Sequence, residues 1–180
     1  QAPIILRLTL RDFDALCALA GLAKHESTDA CTKTRSVCAF IQSAMNIERV
    51  GLSVERNLTL MVGTQRRYFR MFDPRVVHHL PAQLPIGPQL DLRGIAGWNY
   101  FTWDGEWAHV AINENSNRLT GCHIRINEEE LFPLTAIEYF NAIVRAFIKS
   151  GVTCPVAETQ RIMDMAQAAI SYGLKSPNDV

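Results

Sequence analysis

The stretch Arg67-Tyr68-Phe69-Arg70-Met71-Phe72-Asp73-Pro74-Arg75-Val76-Val77 decides how the chain is read, because an alternating apolar segment runs directly into a helix-start signal. In an extended backbone Tyr68, Arg70 and Phe72 share one face and Phe69 and Met71 the other, which predicts an interior strand that buries apolar surface on both sides. Asp73 suits an N-cap, where its carboxylate accepts amide hydrogen bonds, and Pro74 suits the first helical position, where no donor is needed. Val76, Val77 and Leu80 then continue as an apolar helical stripe. A cap does not require the charge of Arg75, so Arg70, Asp73 and Arg75 stand out as candidate protein-binding residues as well as structural ones.

Upstream, Leu58, Leu60 and Val62 alternate with Thr59 and Met61, and Gly63-Thr64-Gln65 gives the turn of a hairpin into the opening stretch. Further back, Ile4-Ile5-Leu6-Arg7-Leu8 reads as a strand. Leu10, Phe13, Leu16, Cys17 and Ala20 follow at helical spacing, with Gly21 as the stop and His25 to Asp29 as a polar loop. Val37, Phe40, Ile41, Ala44 and Met45 predict a second helix. Cys31 and Cys38 would share its face, where free cysteines ordinarily serve as small buried hydrophobes.

Downstream, the three prolines and one glycine of residues 80–88 end the helix and mark the clearest internal boundary. Asp104-Gly105 between aromatic segments predicts a hairpin with a type I′ turn. By alternation Trp98 shares a face with Tyr100, and Trp103 shares one with Phe101 and Asn99. Trp98, Trp103 and Trp107 are candidate protein-binding anchors, since large aromatics dominate interface energies. They lack the basic neighbours that a single-strand nucleic-acid groove needs.

A further strand is expected over residues 122–127 after the polar turn Asn115-Ser116-Asn117. On it Cys122 and His123 point to opposite faces and cannot chelate together. Glu128-Glu129-Glu130 reads as a solvated helix start and Thr135-Ala136-Ile137-Glu138 as a capping box. Ile137, Phe140, Val144, Phe147 and Ile148 form the stripe that follows, closed by Gly151. Pro155 and Glu158 open a last helix with Ile162, Met165, Ala166, Ala169 and Ile170 inward, and Tyr172-Gly173-Leu174 closes it.

These elements predict an α+β fold: one domain over 1–180, divisible into a mixed α/β lobe with antiparallel hairpins (1–80) and a hairpin plus helical lobe (89–180). With 180 residues and 48% hydrophobic content the chain can bury one sizeable core. Formal net charge is zero, so no global field draws nucleic acid or an anionic membrane. Five cysteines, odd in number and without a CxxC pair, argue against a disulfide framework or zinc ribbon and favour a reducing compartment. No apolar run approaching a bilayer span is read, so a soluble protein is expected. The chain opens on Gln1 almost inside a predicted strand, from which we expect residues ahead of it in the natural protein.

No glycine-rich phosphate loop, HExxH helix or GxSxG elbow occurs in the sequence. His78-His79 suits capping of helix-terminal carbonyls. No catalytic, cofactor-binding or metal-binding residues are assigned, and a binding protein is favoured over an enzyme.

The segment Phe69-Arg70-Met71-Phe72-Asp73-Pro74-Arg75-Val76 resembles the signature of the type VI secretion effector chaperones, or adaptors (Tap or TEC proteins). So do Gly94-Ile95-Ala96-Gly97-Trp98, the proline-led Ala2-Pro3-Ile4-Ile5-Leu6, and residues 168–179 with Ala169 and Tyr172-Gly173-Leu174. The front of the chain departs from the family in carrying fewer residues before the first strand. The resemblance implies a non-enzymatic adaptor in the bacterial cytoplasm that binds a cognate toxic effector and helps load it onto the VgrG spike. Two other readings stay open: a ribbon-helix-helix DNA-binding regulator over residues 4–46, and a fragment of an oxidoreductase substrate domain, suggested by the helices after Gly151.

Overall fold

The computed structural model describes residues 3–29, 35–80, 92, 94–110, 124–152, 154, 156–174 and 176. The expectations placed on Cys31, the prolines after Leu80, Asn115 to Asn117, Cys122, His123 and Pro155 lie outside them. The fold is α+β, with two small sheets toward the N-terminal side and a helical C-terminal part.

Helix α1 (Phe13–Thr28) follows a 3-10 turn at Leu10–Asp12 capped by Thr9. It runs through Gly21 and includes the expected polar loop, because helical glycine costs only about 1 kcal/mol and a register held by tertiary contact absorbs that. Residues 3–9 form no strand, which removes the ribbon from the DNA-binding reading. Ala23 and Ser27 are the buried side chains of α1, while Phe13 and Leu16 of the expected stripe are exposed.

The second expected helix is instead strand β1 (Phe40–Ser43), in antiparallel register with strand β4 (Ile95–Phe101) through Phe40 with Asn99 and Ile41 with Trp98. Helix α2 (Ile47–Arg56) begins only at Asn46, whose side chain accepts the Arg49 amide at 3.0 Å. A helical spacing of apolar residues gave way to β-branched and aromatic side chains that pair across a sheet. Strand β5 (Trp107–Val110) completes the order β1-β4-β5.

The hairpin of β2 (Thr59–Val62) and β3 (Gln65–Tyr68) forms as expected around Gly63, which has φ 57. The interior strand over Arg67 to Phe72 does not. β3 is an edge strand with all four residues exposed, and it stops at Tyr68. Phe69 and Met71 are buried nonetheless, in irregular backbone. The other neighbour of β2 is β6 (Ile124–Ile126), which pairs with it in parallel.

The residues joining β4 to β5 are Thr102 to Glu106. Gly105 has φ 81, but no non-glycine residue among those described has a positive φ, so a two-residue type I′ turn is ruled out. The Thr102 amide donates to the Glu106 carbonyl at 2.9 Å, and the Gly105 amide to the Thr102 carbonyl at 3.0 Å.

Helix α3 is the short Pro74–Val77 turn. Helix α4 (Glu128–Lys149) starts seven residues ahead of the expected capping box, using Asn127 and Glu130 as a reciprocal cap, and accommodates Pro133 within its opening turns. Its length and composition would suit a bilayer span, which corrects the reading that no apolar run approaches one; here Ala136, Ile137, Phe140, Ile143 and Val144 are buried in the core. Gly151, φ 70, ends it in a Schellman motif: the Val152 amide reaches the Phe147 carbonyl and the Gly151 amide the Ile148 carbonyl. Helix α5 (Thr159–Ser171) packs on α4 with Ile162, Met163 and Ala166 inward, whereas Met165 of the expected stripe is half exposed. Gly173 closes α5 with the same motif.

Two apolar clusters result. One joins both sheets with α2 and the Phe69 to Leu80 segment, and the other joins α4, α5 and Trp103.

Candidate functional site

The Asp73 carboxylate is 2% exposed as a residue and sits where the end of the β3 segment turns into α3. Its Oδ1 accepts the Arg75 backbone amide at 3.0 Å and the Arg75 Nε–H at 2.9 Å, while Oδ2 accepts Arg75 Nη2–H at 2.7 Å and Arg70 Nη2–H at 2.9 Å. Burial pushes the Asp73 pKa up, but the hydrogen bonds and charge of Arg75, with the charge of Arg70, outweigh it and hold the carboxyl below its usual range. The same hydrogen bonds raise Arg75 against the opposing effect of burial. Asp73 is thus both the expected cap and the centre of an ion-pair node. Arg75 is largely enclosed in that node, and Arg70 keeps about half its side chain in water.

A third guanidinium lies close. Arg35 donates to the Phe101 carbonyl at 2.8 Å, and burial lowers its pKa while the Asp73 charge opposes that. Cys38 beside it has its thiol pushed up to about 11, mainly by burial, which leaves it protonated and unreactive.

Three tryptophans occupy three environments. Trp98 is 1% exposed and shares the sheet's buried face with Tyr100, as alternation predicts. Trp103 is also buried, but it belongs to the loop and not to the face of Phe101 and Asn99. Its Nε1 donates to the Cys154 carbonyl at 2.8 Å, and its ring meets His78, His79 and Phe140 at centroid distances of 4.9, 6.1 and 5.1 Å. It ties the hairpin loop to α3, α4 and the α4–α5 connection. Trp98 and Trp103 are therefore core side chains. Trp107 is 50% exposed and lies over Phe40 and Phe101 at 5.4 and 4.9 Å, forming an aromatic ridge on the β1-β4-β5 sheet.

His78 is the C-cap residue of α3, but it serves the terminal carbonyls through its backbone amide and not through the imidazole that the sequence suggested. His79 is buried against Phe140 at 4.3 Å, and burial, with the neighbouring His78, depresses its pKa to about 3. His78 bonds the Tyr100 hydroxyl at 3.0 Å and is also lowered by burial. Among the described residues, His79 Nε2 and Trp98 Nε1 are buried without a hydrogen-bond partner.

Of the candidate residues, Arg70, Asp73 and Arg75 converge on one node, and Arg70 and Trp107 reach the surface. Arg35 and Arg145, which the sequence reading passed over, lie beside the node at a cleft bounded by α1, α3 and α4. No local pattern flags them, because each is a single cation whose neighbours come from distant parts of the chain. No group of His, Cys, Asp and Glu among the described residues is placed to hold a metal ion. The chain matches no protein-family model, no curated protein and no solved structure.

Proposed function

We propose that the chain is a non-catalytic adaptor of the type VI effector-chaperone class, acting in the bacterial cytoplasm, which holds a cognate toxic effector and promotes its loading onto the VgrG spike. The reading rests on the resemblance carried by Phe69 to Val76. The observation that supports it most is that these residues form one rigid unit: Phe69 and Met71 anchored in the core, Asp73 clamping Arg75, and Arg70 left at the surface. A segment built this way holds a surface in place, which suits a binding protein.

The ridge of Trp107 on Phe40 and Phe101 supplies an apolar anchor, and Arg70 and Arg66 supply exposed charge. An effector that covers the Trp107 ring gains from desolvating a large rigid side chain, for which truncation typically costs on the order of 2 kcal/mol or more. The exposed arginines bias which effector docks. The test is co-expression with the protein encoded beside this chain's gene, followed by co-purification. Retention by the wild type and loss with Trp107→Ala at unchanged melting temperature supports the ridge. Equal retention by both moves the binding face elsewhere.

A further inference from the structure

The cleft between the C-terminal part of α1, α3 and α4 is lined by Glu26, Arg35, Arg75, Trp103, Asn141 and Arg145, among others. Its polar groups are not equally satisfied. Arg75 is held by Asp73, and its carbonyl accepts the Asn141 side-chain amide at 3.2 Å. Glu26 turns its Oε2 to the amides of Ser36 at 2.8 Å and Val37 at 3.3 Å. Arg35 gives one N–H to a backbone carbonyl. Arg145 is partly buried, and among the described residues it has no hydrogen bond or ion pair.

A position near the C-terminus of α4 accounts for a cation in general. It does not account for a guanidinium placed beside Arg75 and Arg35 in a shared recess. A partly buried guanidinium without a protein acceptor depends on water for its hydrogen bonds, and an incoming anion can take the place of that water. Asp29 also lines the cleft but is engaged with another group. Asp73 offsets Arg75, and Glu26 and Asp29 keep their charge but are engaged elsewhere, so Arg145 is left as the cation of the recess that has no protein acceptor among the described residues.

From this we infer that the cleft is a carboxylate-recognition notch that takes an aspartate or glutamate side chain of the bound effector, with Arg145 and Arg35 as its donors and the Trp103 edge as its apolar floor. The cavity, about 30 Å³, has room for a carboxylate head in place of one or two waters but not for a nucleotide. A planar guanidinium fork matches a carboxylate's two oxygens. The identity of the donor protein rests on the adaptor reading; the chemistry of the notch does not.

The test therefore has two arms. In the first, the arginine Nε–H signals of the labelled protein are titrated with sodium acetate, with sodium chloride at matched ionic strength and with inorganic phosphate. Saturable shifts of Arg145 and Arg35 with acetate alone, abolished in Arg145→Ala, are expected. Shifts that chloride reproduces, or a preference for phosphate, overturn the carboxylate assignment. Coupling between Glu26→Gln and Arg145→Ala in melting temperature overturns it as well, since Arg145 would then be satisfied within the chain.

The second arm measures effector affinity. Arg145→Glu is expected to weaken it roughly tenfold or more at unchanged melting temperature, Arg145→Lys less, and Arg161→Glu on the exposed face of α5 not at all. Equal affinity of wild type and Arg145→Glu overturns the notch and leaves the adaptor reading standing. Saturable acetate binding without any effector binding by the wild type overturns the adaptor reading, and with it the donor named here.

Discussion

Arg75 grips Asp73 with one edge of its guanidinium, Nε to Oδ1 at 2.9 Å and Nη2 to Oδ2 at 2.7 Å, while its own backbone amide donates to the same Oδ1 at 3.0 Å. One carboxylate thereby caps α3 and neutralises an enclosed charge. Loss of a cap alone costs about 0.5–2 kcal/mol. Breaking a buried pair by removing one partner costs about 3–5 kcal/mol. Asp73→Ala is therefore expected to fall at or above the top of the capping range. Arg75→Ala should follow closely because it leaves the buried carboxylate with Arg70 alone. Arg70→Ala, whose side chain is 48% exposed, should cost under about 1 kcal/mol. Urea unfolding of the three variants checks the order, and an Arg70 effect equal to that of Arg75 would contradict it.

The tryptophans should separate into two classes. Trp98 and Trp103 are core side chains, and truncating either to Ala is expected to cost about 3–5 kcal/mol. For Trp103 the loss includes its hydrogen bond to the Cys154 carbonyl. Trp107→Ala should change stability by no more than about 1 kcal/mol, because half of the ring is already in water. Thermal melts of the three variants decide this, and a Trp107 variant as unstable as the Trp103 variant would place the ridge in the core.

Acid should weaken the fold from pH 6.5 downward. Burial, reinforced by His78, keeps His79 neutral in the folded chain down to about pH 3, whereas the unfolded chain takes up that proton near the ordinary 6.5. Between those values the unfolded state binds more protons, so stability is full above about 6.5 and is lost as pH falls toward 3. One such histidine gives a slope of about 1.4 kcal/mol per pH unit. His78, lowered in the same direction, adds to it. Asp73 contributes later: its lowered pKa supplies stability above the ordinary 3.8, which is lost as pH falls through the folded value. Urea midpoints at pH 7, 6, 5 and 4 should decline steadily and decline less in His79→Phe. An unchanged slope in that variant would contradict the assignment.

Gly94 should resist substitution. Its φ of 79 disfavours any side chain, and a Cβ there would come within 2.6 Å of the Met45 sulfur. Strain and the displaced methionine are expected to make Gly94→Ala cost about 1–2 kcal/mol, measurable as a lowered melting temperature. No loss would show that this turn relaxes freely.

What could be read in the sequence followed how local each signal was. The Asp73-Pro74 cap, the Gly63 turn and the closing roles of Gly151 and Gly173 depend on a few neighbouring residues, and each stands as read. The α+β class followed from them. Residues 37–45 were misread because helical spacing and a short buried strand look alike until the partner strand is known, and here the partner is β4, more than fifty residues on. For the candidate site, the sequence picked out Asp73 with its two arginines but not the partners that settle their roles. Arg35, Arg145 and His79 acquire their environment through contacts between distant elements, which no spacing rule encodes.

The proposal that this chain is an effector adaptor is tested most directly by mixing the purified protein with the purified product of the gene beside its own, which the proposal expects to encode a toxin, and measuring complex formation by calorimetry, with duplex DNA as the comparison at low salt. A stoichiometric complex with the toxin, unaccompanied by salt-sensitive DNA binding, is the expected result. Sequence-specific retention of DNA with no complex with the toxin would contradict it.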